Sequence, residues 1–539
     1  MKKYFTLLFT ILIFFSSSAQ YSRQDSLRGT INENRNWWDV TCYTIGIYPN
    51  FINKTIEGKN EIQFKVVKPG MKMQIDLQAP MKISRVYWKE KESLSFSNDG
   101  NVYYIDFKES LPVYSIQTIT IVFQGNPQIA KKPPWDGGWI FKEDKLGRPW
   151  MSVACQGLGA SAWYPCKDHQ SDEPDSAFIN VAVPDTLVAI ANGRFMGKKS
   201  YAAGETTYKW KVVNPINNYN IIPYIGKYVN WHEDFAGEKG NLDCDYWVLD
   251  YNLDAAKEQF KQVALTLKAF EHWFGPYPFY EDGYKLIESP HLGMEHQSAV
   301  AYGNKFKNGY LGRDLSGTGW GLKWDFIIVH ETGHEWFGNN ITSTDIADMW
   351  LHEGFTNYSE TLFTDYHFGK TAGNEYLIGT RKGIQNKKNI IGEYGVNSEG
   401  SGDMYPKGGN LLHLIRQLVD YDEKFRQIMR GLNKTFYHQT VTTQTIENYI
   451  SENSGINLSK IFDQYLRTNQ IPILEYKKIN GLLNYRWTNC VTNFDMPIKI
   501  KDSKIWLHPT TQWQEQQMQN DLNLMIDENF YVFTKKIDN

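Results

Sequence analysis

Apolar and polar residues alternate with a period of two through the first part of the chain. Ile62, Phe64 and Val66 occupy every second place in one run, and Ile119, Ile121 and Phe123 do so between Thr118, Thr120 and Val122 in another. Such alternation turns one face of a strand toward a core and the other toward water. Its recurrence between Gly, Pro and Asn breaks, from about Gln20 to about Gly226, predicts a largely antiparallel sheet region. After about Val229 the period lengthens. Phe260, Val263, Leu267 and Phe270 fall on one helical face, and Gly275-Pro276 stops that helix. Further helical text covers Asp325–Phe337, Met349–His367 and Gly409–Val419. Strand text returns from about Ile471, where Asn480-Gly481 between Leu474–Ile479 and Leu482–Trp487 signals a hairpin. The pattern predicts an α+β multidomain chain: an N-terminal β domain over 20–235, a mixed domain over 236–470 with the chemistry on helices, and a small β domain over 471–539.

The remaining N-terminal stretch has a different composition. Lys2 and Lys3 precede an apolar run from Tyr4 to Phe15, and Ser17 and Ala19 hold the −3 and −1 places of a cleavage site. Residues 1–19 are therefore expected to be a signal peptide, and the mature chain to be exported to the periplasm or beyond. The run falls short of the roughly 20 apolar residues of a membrane span, and no later segment reaches that length. No cysteine follows it closely, which argues against a lipid anchor.

A length of 539 residues exceeds one hydrophobic core and implies two to four domains. The net charge of −3, with no long basic run, gives no reason to expect nucleic acid. Aromatic residues make up 15%, enough for broad β surfaces and an aromatic-lined cleft, without naming a ligand. The five cysteines are odd in number and contain no CxxC pair, so a cysteine zinc site is not expected. Cys155 and Cys166 are the closest pair; a disulfide and buried free thiols both remain open.

One segment carries chemistry. His330-Glu331-Thr332-Gly333-His334 is an HExxH pattern within an apolar helix (Phe326, Ile327, Ile328, Val329, Trp336, Phe337). Residues four apart share a helix face, so both imidazoles can reach one metal ion. Catalytic zinc commonly takes two histidines, one carboxylate and a water. Glu331, beside the first ligand, suits a general base. Glu335 follows His334 directly and is expected to point away, as a solvated or supporting residue. The third ligand is expected to be Glu353, with eighteen residues between it and His334; Asp348, His352 and Glu360 are its rivals. Glu360 lies two turns beyond Glu353 on the same face and is expected to orient an imidazole. His352 is expected to face elsewhere.

These residues resemble the zinc signature of the gluzincin aminopeptidases, the family of aminopeptidase N and the leukotriene epoxide hydrolase. HExxH is followed after eighteen residues by Glu353 within Trp350-Leu-His-Glu-Gly-Phe355. Gly293-Met294-Glu295-His296 is similar to the family's G-x-M-E-N, Tyr405-Pro406-Lys407-Gly408 to its Y-x-K-G, and Gln156, nine residues before Pro165, to the glutamine of its N-terminal domain. The resemblance covers roughly residues 40 to 470. It implies a saddle-like N-terminal β domain, a thermolysin-like catalytic domain, a small C-terminal β-sandwich and one zinc per chain. It also implies peptide substrates with a free N-terminus, held along Gly293 and Met294, with Glu295 and Gln156 taking the amine. Tyr405 is implied to donate its phenol to the developing oxyanion. An ammonium and a carboxylate attract at neutral pH, so Glu295 beside the metal would measure one residue to the scissile bond. The sequence departs from the family where His296 replaces asparagine and Leu292 replaces the first motif glycine. His291 and His296 are the remaining candidate metal ligands, set aside because three protein ligands and water already satisfy catalytic zinc.

Overall fold

A computed structural model describes residues 21–539 apart from 90–91, 203, 480, 518–523 and 539. The expected signal peptide and Asn480 of the hairpin turn lie outside the described residues.

The N-terminal region is built on an eight-stranded sheet. Trp38–Asn50 pairs antiparallel with Thr55–Val66, which pairs antiparallel with Ile116–Gly125. Ile62, Phe64, Val66, Ile119, Ile121 and Phe123 are all buried, as the alternation requires. One neighbour breaks the antiparallel rule: Trp38–Asn50 runs parallel to Ser176–Pro184. Parallel neighbours need a long crossover, and the intervening chain supplies one by forming parts of two smaller sheets. In one of these, Pro149–Ala154 pairs with Gly138–Glu143 and delivers Gln156 just beyond its end. A short helix, Arg23–Gly29, opens the region; Ser22 and Asp25 cap it reciprocally, a local signal that the period-two reading passed over.

The next sheet has five strands in the order Tyr228–Gly237, Gly240–Leu249, Tyr284–Glu288, Val300–Tyr302, Gly293–Met294. Gly293–Met294 is its edge strand, antiparallel to Val300–Tyr302. Helices Gln262–Phe274, Phe326–Gly333, Trp350–Phe368 and Pro406–Val419 belong to one core with it. The helix expected over Asp325–Phe337 is shorter than its text. Past Gly333 the last turn tightens into i→i−3 bonds (Glu335 to Thr332, Trp336 to Gly333), and Gly338, at φ 123°, turns the chain away.

The buried residues of the C-terminal β region, Leu474, Leu483 and Trp487 among them, are continuous with the core of the helical region. The hairpin Ile473–Ile479/Leu482–Thr488 forms as expected, flanked by Gln514–Gln517 and Phe533–Lys536. This region docks behind the helices: His413 Nε2 and Asn529 Oδ1 are 2.9 Å apart, and Tyr465 donates to the Tyr531 carbonyl at 2.6 Å. All five cysteines are free, which resolves the open question for Cys155 and Cys166 in favour of buried thiols. No helix among the described residues is long and apolar enough to cross a membrane.

Candidate active site

Helix Phe326–Gly333 begins at Asp325, a buried N-cap whose Oδ1 accepts from the Ile327 and Ile328 amides. Its other oxygen accepts from Gln259 and Tyr302, at 2.7 and 2.8 Å. The helix start is thus tied to the preceding helix and to the sheet, and its far end presents His330 and His334 with ring centroids 5.0 Å apart. Helix Trp350–Phe368 brings Glu353 against them. Glu353 Oε2 lies 3.6 Å from His330 Nε2 and 3.3 Å from His334 Nε2.

The protonation pattern of this triad follows from its surroundings. His330 Nδ1 is 2.8 Å from Glu360 Oε1, and His334 Nδ1 is 3.0 Å from the Phe337 carbonyl. Both partners accept, so both Nδ1 atoms carry the hydrogen and both Nε2 atoms present lone pairs. Those lone pairs meet Glu353 Oε2, a buried oxygen with no hydrogen-bond donor. With both imidazoles neutral, three acceptors converge in a buried space, an arrangement that a cation between them would satisfy. Two imidazoles and one carboxylate are the donor set of catalytic zinc, and the residues fit that ion.

The rivals for third ligand are occupied elsewhere. Asp348 accepts from Thr443 at 2.6 Å and from Tyr394 at 2.7 Å. His352 Nε2 accepts from the Ser343 amide at 2.9 Å. Glu360 orients His330 and is itself held by Tyr376, at 2.5 Å, and by Asn357. His296 Nδ1 meets the Tyr224 hydroxyl at 2.5 Å, and neither His296 nor His291 joins the triad. Of the two readings of Glu335, solvated or supporting, the structure shows the second: it is fully buried, and its oxygens accept from the Ser298 amide at 2.9 Å and from Tyr277 at 3.1 Å. The tightened last turn of the helix swings it inward, behind the site.

Glu331, Glu295 and His334 offer side-chain atoms all within 4.8 Å of one another. Burial pushes the Glu331 carboxyl up to about 7, the neighbouring Glu295 and Glu353 adding to burial and the two histidines opposing it. A carboxylate near that value exchanges protons readily at neutral pH. A Cβ at position 293 would sit 2.6 Å from Glu331 Oε1 and 2.9 Å from Ile327 Cγ2, so any larger residue there would displace the Glu331 carboxylate. Gln156 Nε2 donates to Glu295 Oε1 at 2.5 Å and to Glu353 Oε1 at 3.2 Å, which leaves its Oε1 as an acceptor. Tyr405 faces the His330 ring at 6.1 Å; burial first, then Glu353 and Glu295, keep its phenol protonated.

These groups line one cavity of about 1010 Å³. Its walls run from Pro134 to Pro406, with Trp135 and Leu158 from the N-terminal region facing Tyr310 and Phe326, so the C-terminal β region lines none of it. The sequence reading did not single out Tyr219, which donates to Glu295 Oε1 at 2.9 Å, or Asn339, which donates to the Glu295 carbonyl at 2.8 Å. Asn339-Asn340, a polar pair just past the HExxH helix, was a visible signal. Tyr219 had none.

The fold and this ligand set are similar to those of zinc metallopeptidases, and His330, His334 and Glu353 form a candidate site for one zinc ion. Residues 260–465 match the model of the peptidase family M1 domain. Over 331 residues the chain is 24% identical to leukotriene A-4 hydrolase of Xenopus laevis, covering 58% of this chain and 51% of that protein. It is 23% identical over 333 residues to aminopeptidase B of Rattus norvegicus, covering 58% and 48%. The chain thus spans about half the length of these curated relatives. An M1 zinc metallopeptidase from Deinococcus radiodurans shares the fold with a TM-score of 0.65 at 19% identity, covering 78% of this chain and 91% of that one.

Proposed function

We propose that the chain is a zinc aminopeptidase that removes one residue at a time from the free N-terminus of peptides. The observation that carries this reading is the Glu295 carboxylate standing beside Glu331 and His334 within 4.8 Å. An anion fixed that close to the reacting centre accepts a peptide amine and leaves room for a single residue before the scissile bond. His330, His334 and Glu353 would hold a zinc ion, which would supply Lewis-acid polarisation of the carbonyl and a lowered pKa for water. Glu331 removes a proton from the attacking water and returns it to the leaving amine. Tyr405 donates its phenolic hydrogen to the oxyanion. Gln156 adds an acceptor for the substrate amine, and Gly293 and Met294, on the sheet edge, offer main-chain groups to the substrate backbone. An M1 zinc metallopeptidase variant from Deinococcus radiodurans with the same fold (TM-score 0.66, 20% identity) was solved with a Tyr-Ser-Ala substrate, a peptide of the class proposed here.

The test is a panel of aminoacyl amides and peptides with free and acetylated N-termini, assayed with zinc content measured in parallel. Hydrolysis confined to free amines is expected. Equal cleavage of both forms would make the enzyme an endopeptidase and sink this reading. Export belongs to the same proposal and rests on the Lys2-Lys3, Tyr4–Phe15, Ser17 and Ala19 pattern. N-terminal sequencing of the protein from its native host is expected to begin at Gln20; a chain beginning at Met1 would contradict it.

A further inference from the structure

The amine anchor of the proposed aminopeptidase is held from an unexpected direction. The short helical turn Asn218–Asn220 belongs to the N-terminal β region, yet two successive residues of it reach Glu295 by separate routes. Tyr219 donates its hydroxyl to Glu295 Oε1 at 2.9 Å. Asn220 Nδ2 donates to Asn339 Oδ1 at 2.6 Å, and Asn339 Nδ2 donates to the Glu295 main-chain carbonyl at 2.8 Å. The direction of that relay is forced from its end, since a carbonyl can only accept. All four residues are buried, the most exposed being Tyr219 at 4%. The turn is itself fixed: Asn217 caps it by accepting from the Tyr219 amide, and the Cys155 thiol lies 3.4 Å from the Tyr219 carbonyl.

The consequence concerns which oxygen of Glu295 meets substrate. Oε1 already accepts twice, from Tyr219 and from Gln156 Nε2. A carboxylate saturated on one oxygen by fixed donors cannot rotate without breaking both bonds, so the second oxygen keeps one direction. We infer that Tyr219 and Asn220 are positioning residues that lock the Glu295 carboxylate, the first through its side chain and the second through its main chain, so that recognition of the substrate amine depends on the N-terminal region. The anchor is then a joint product of two regions of the chain, and catalytic-domain residues alone do not complete it.

The inference rests on the aminopeptidase reading, and the experiment separates the two. KM and kcat for an alanyl amide with a free amine, and the inhibition constant of an N-acetylated analogue, are measured for the parent, Tyr219→Phe and Asn220→Ala. One hydrogen bond to a charged group is worth about a factor of ten in binding. Tyr219→Phe, which keeps the buried ring, is expected to raise KM for the free amine about tenfold while kcat stays within about threefold and the acetylated analogue binds unchanged. Asn220→Ala is expected to move KM the same way by a smaller factor, and it stands as the test if Tyr219→Phe does not fold. An unchanged KM in the folded variants overturns the inference. So does an equal loss for free and acetylated ligands, which would mark a merely structural role. If the parent itself ignores the amine, the aminopeptidase reading fails first and the inference falls with it.

Discussion

The two ends of the cleft are built differently. At the metal end, His330, Glu331, His334, Glu353 and Glu360 come from 31 consecutive residues on two helices, and each second atom of the ligand imidazoles has a partner from the same stretch. At the amine end, Gln156, Tyr219 and Glu295 are joined at a single oxygen from positions more than 60 residues apart. Helical periodicity alone nearly suffices to assemble the first. The second exists only once the N-terminal sheets have docked. On the proposed function, the difference separates the chemistry from its specificity: the metal end would hydrolyse a bond, and the amine end would select which one.

The sharpest way to isolate the metal end is Glu331→Gln. The side chain keeps its size, and no zinc ligand is touched. Loss of general-base action is expected to lower kcat by about 10²–10⁴, with zinc stoichiometry and KM for a free-amine substrate nearly unchanged. Turnover equal to the parent would remove Glu331 from the mechanism. A smaller effect is expected at Glu360, which acts on the metal site only through the ligand His330. Glu360→Gln keeps an acceptor for His330 Nδ1 but removes the charge that holds the imidazole hydrogen there. Zinc affinity, read by competition with a chelator, is expected to fall about 10–100-fold, while kcat at saturating zinc changes little. An unchanged affinity would make Glu360 a packing residue.

How far each end was legible in the sequence follows from the same contrast. The ligand spacing, the base and the hairpin at 473–488 are local patterns, and local patterns survive translation into structure. Glu360 was legible because seven residues are two helical turns. Gln156, Glu295 and Tyr405 were reached only through a family resemblance, since nothing in their own neighbourhoods marks a lone Gln, Glu or Tyr as functional. Tyr219 was reached by neither route, because a tyrosine between asparagines in strand-rich text is indistinguishable from a buried core residue until its hydroxyl is seen against Glu295. Glu335 was legible only as a choice between a solvated and a supporting residue, because its partners Ser298 and Tyr277 lie far from it in the sequence.

Glu335 also connects the two ends, and its titration tests how tightly they are coupled. It follows the ligand His334, and it holds the Ser298 amide three residues beyond Glu295, where Ser298 adopts a left-handed φ of 54°. Burial pushes its carboxyl up to about 8 against the pull of the Ser298 and Tyr277 hydrogen bonds and of the Lys285 charge. The folded chain therefore binds this proton more tightly than the unfolded chain, whose glutamate titrates near 4.3. A raised folded pKa gives stability that is full below the unfolded value and is lost as pH rises through the folded one. From pH 4.5 to 8.5 this group is expected to remove on the order of 4 kcal/mol of stability. Glu335→Gln has no charge to bury. Its amide accepts from Ser298 and donates to Tyr277, whose hydroxyl has the Gly283 carbonyl at 3.2 Å as an alternative acceptor. Urea unfolding at fixed zinc concentration is expected to show a midpoint that falls less between these pH values in the variant than in the parent. KM for the free amine is expected to stay within about twofold, since one hydrogen bond to Ser298 is kept. Parallel pH profiles for variant and parent would show that Glu335 is ionised in the folded protein at low cost. The strut between the metal helix and the Glu295 loop would then be a charged one.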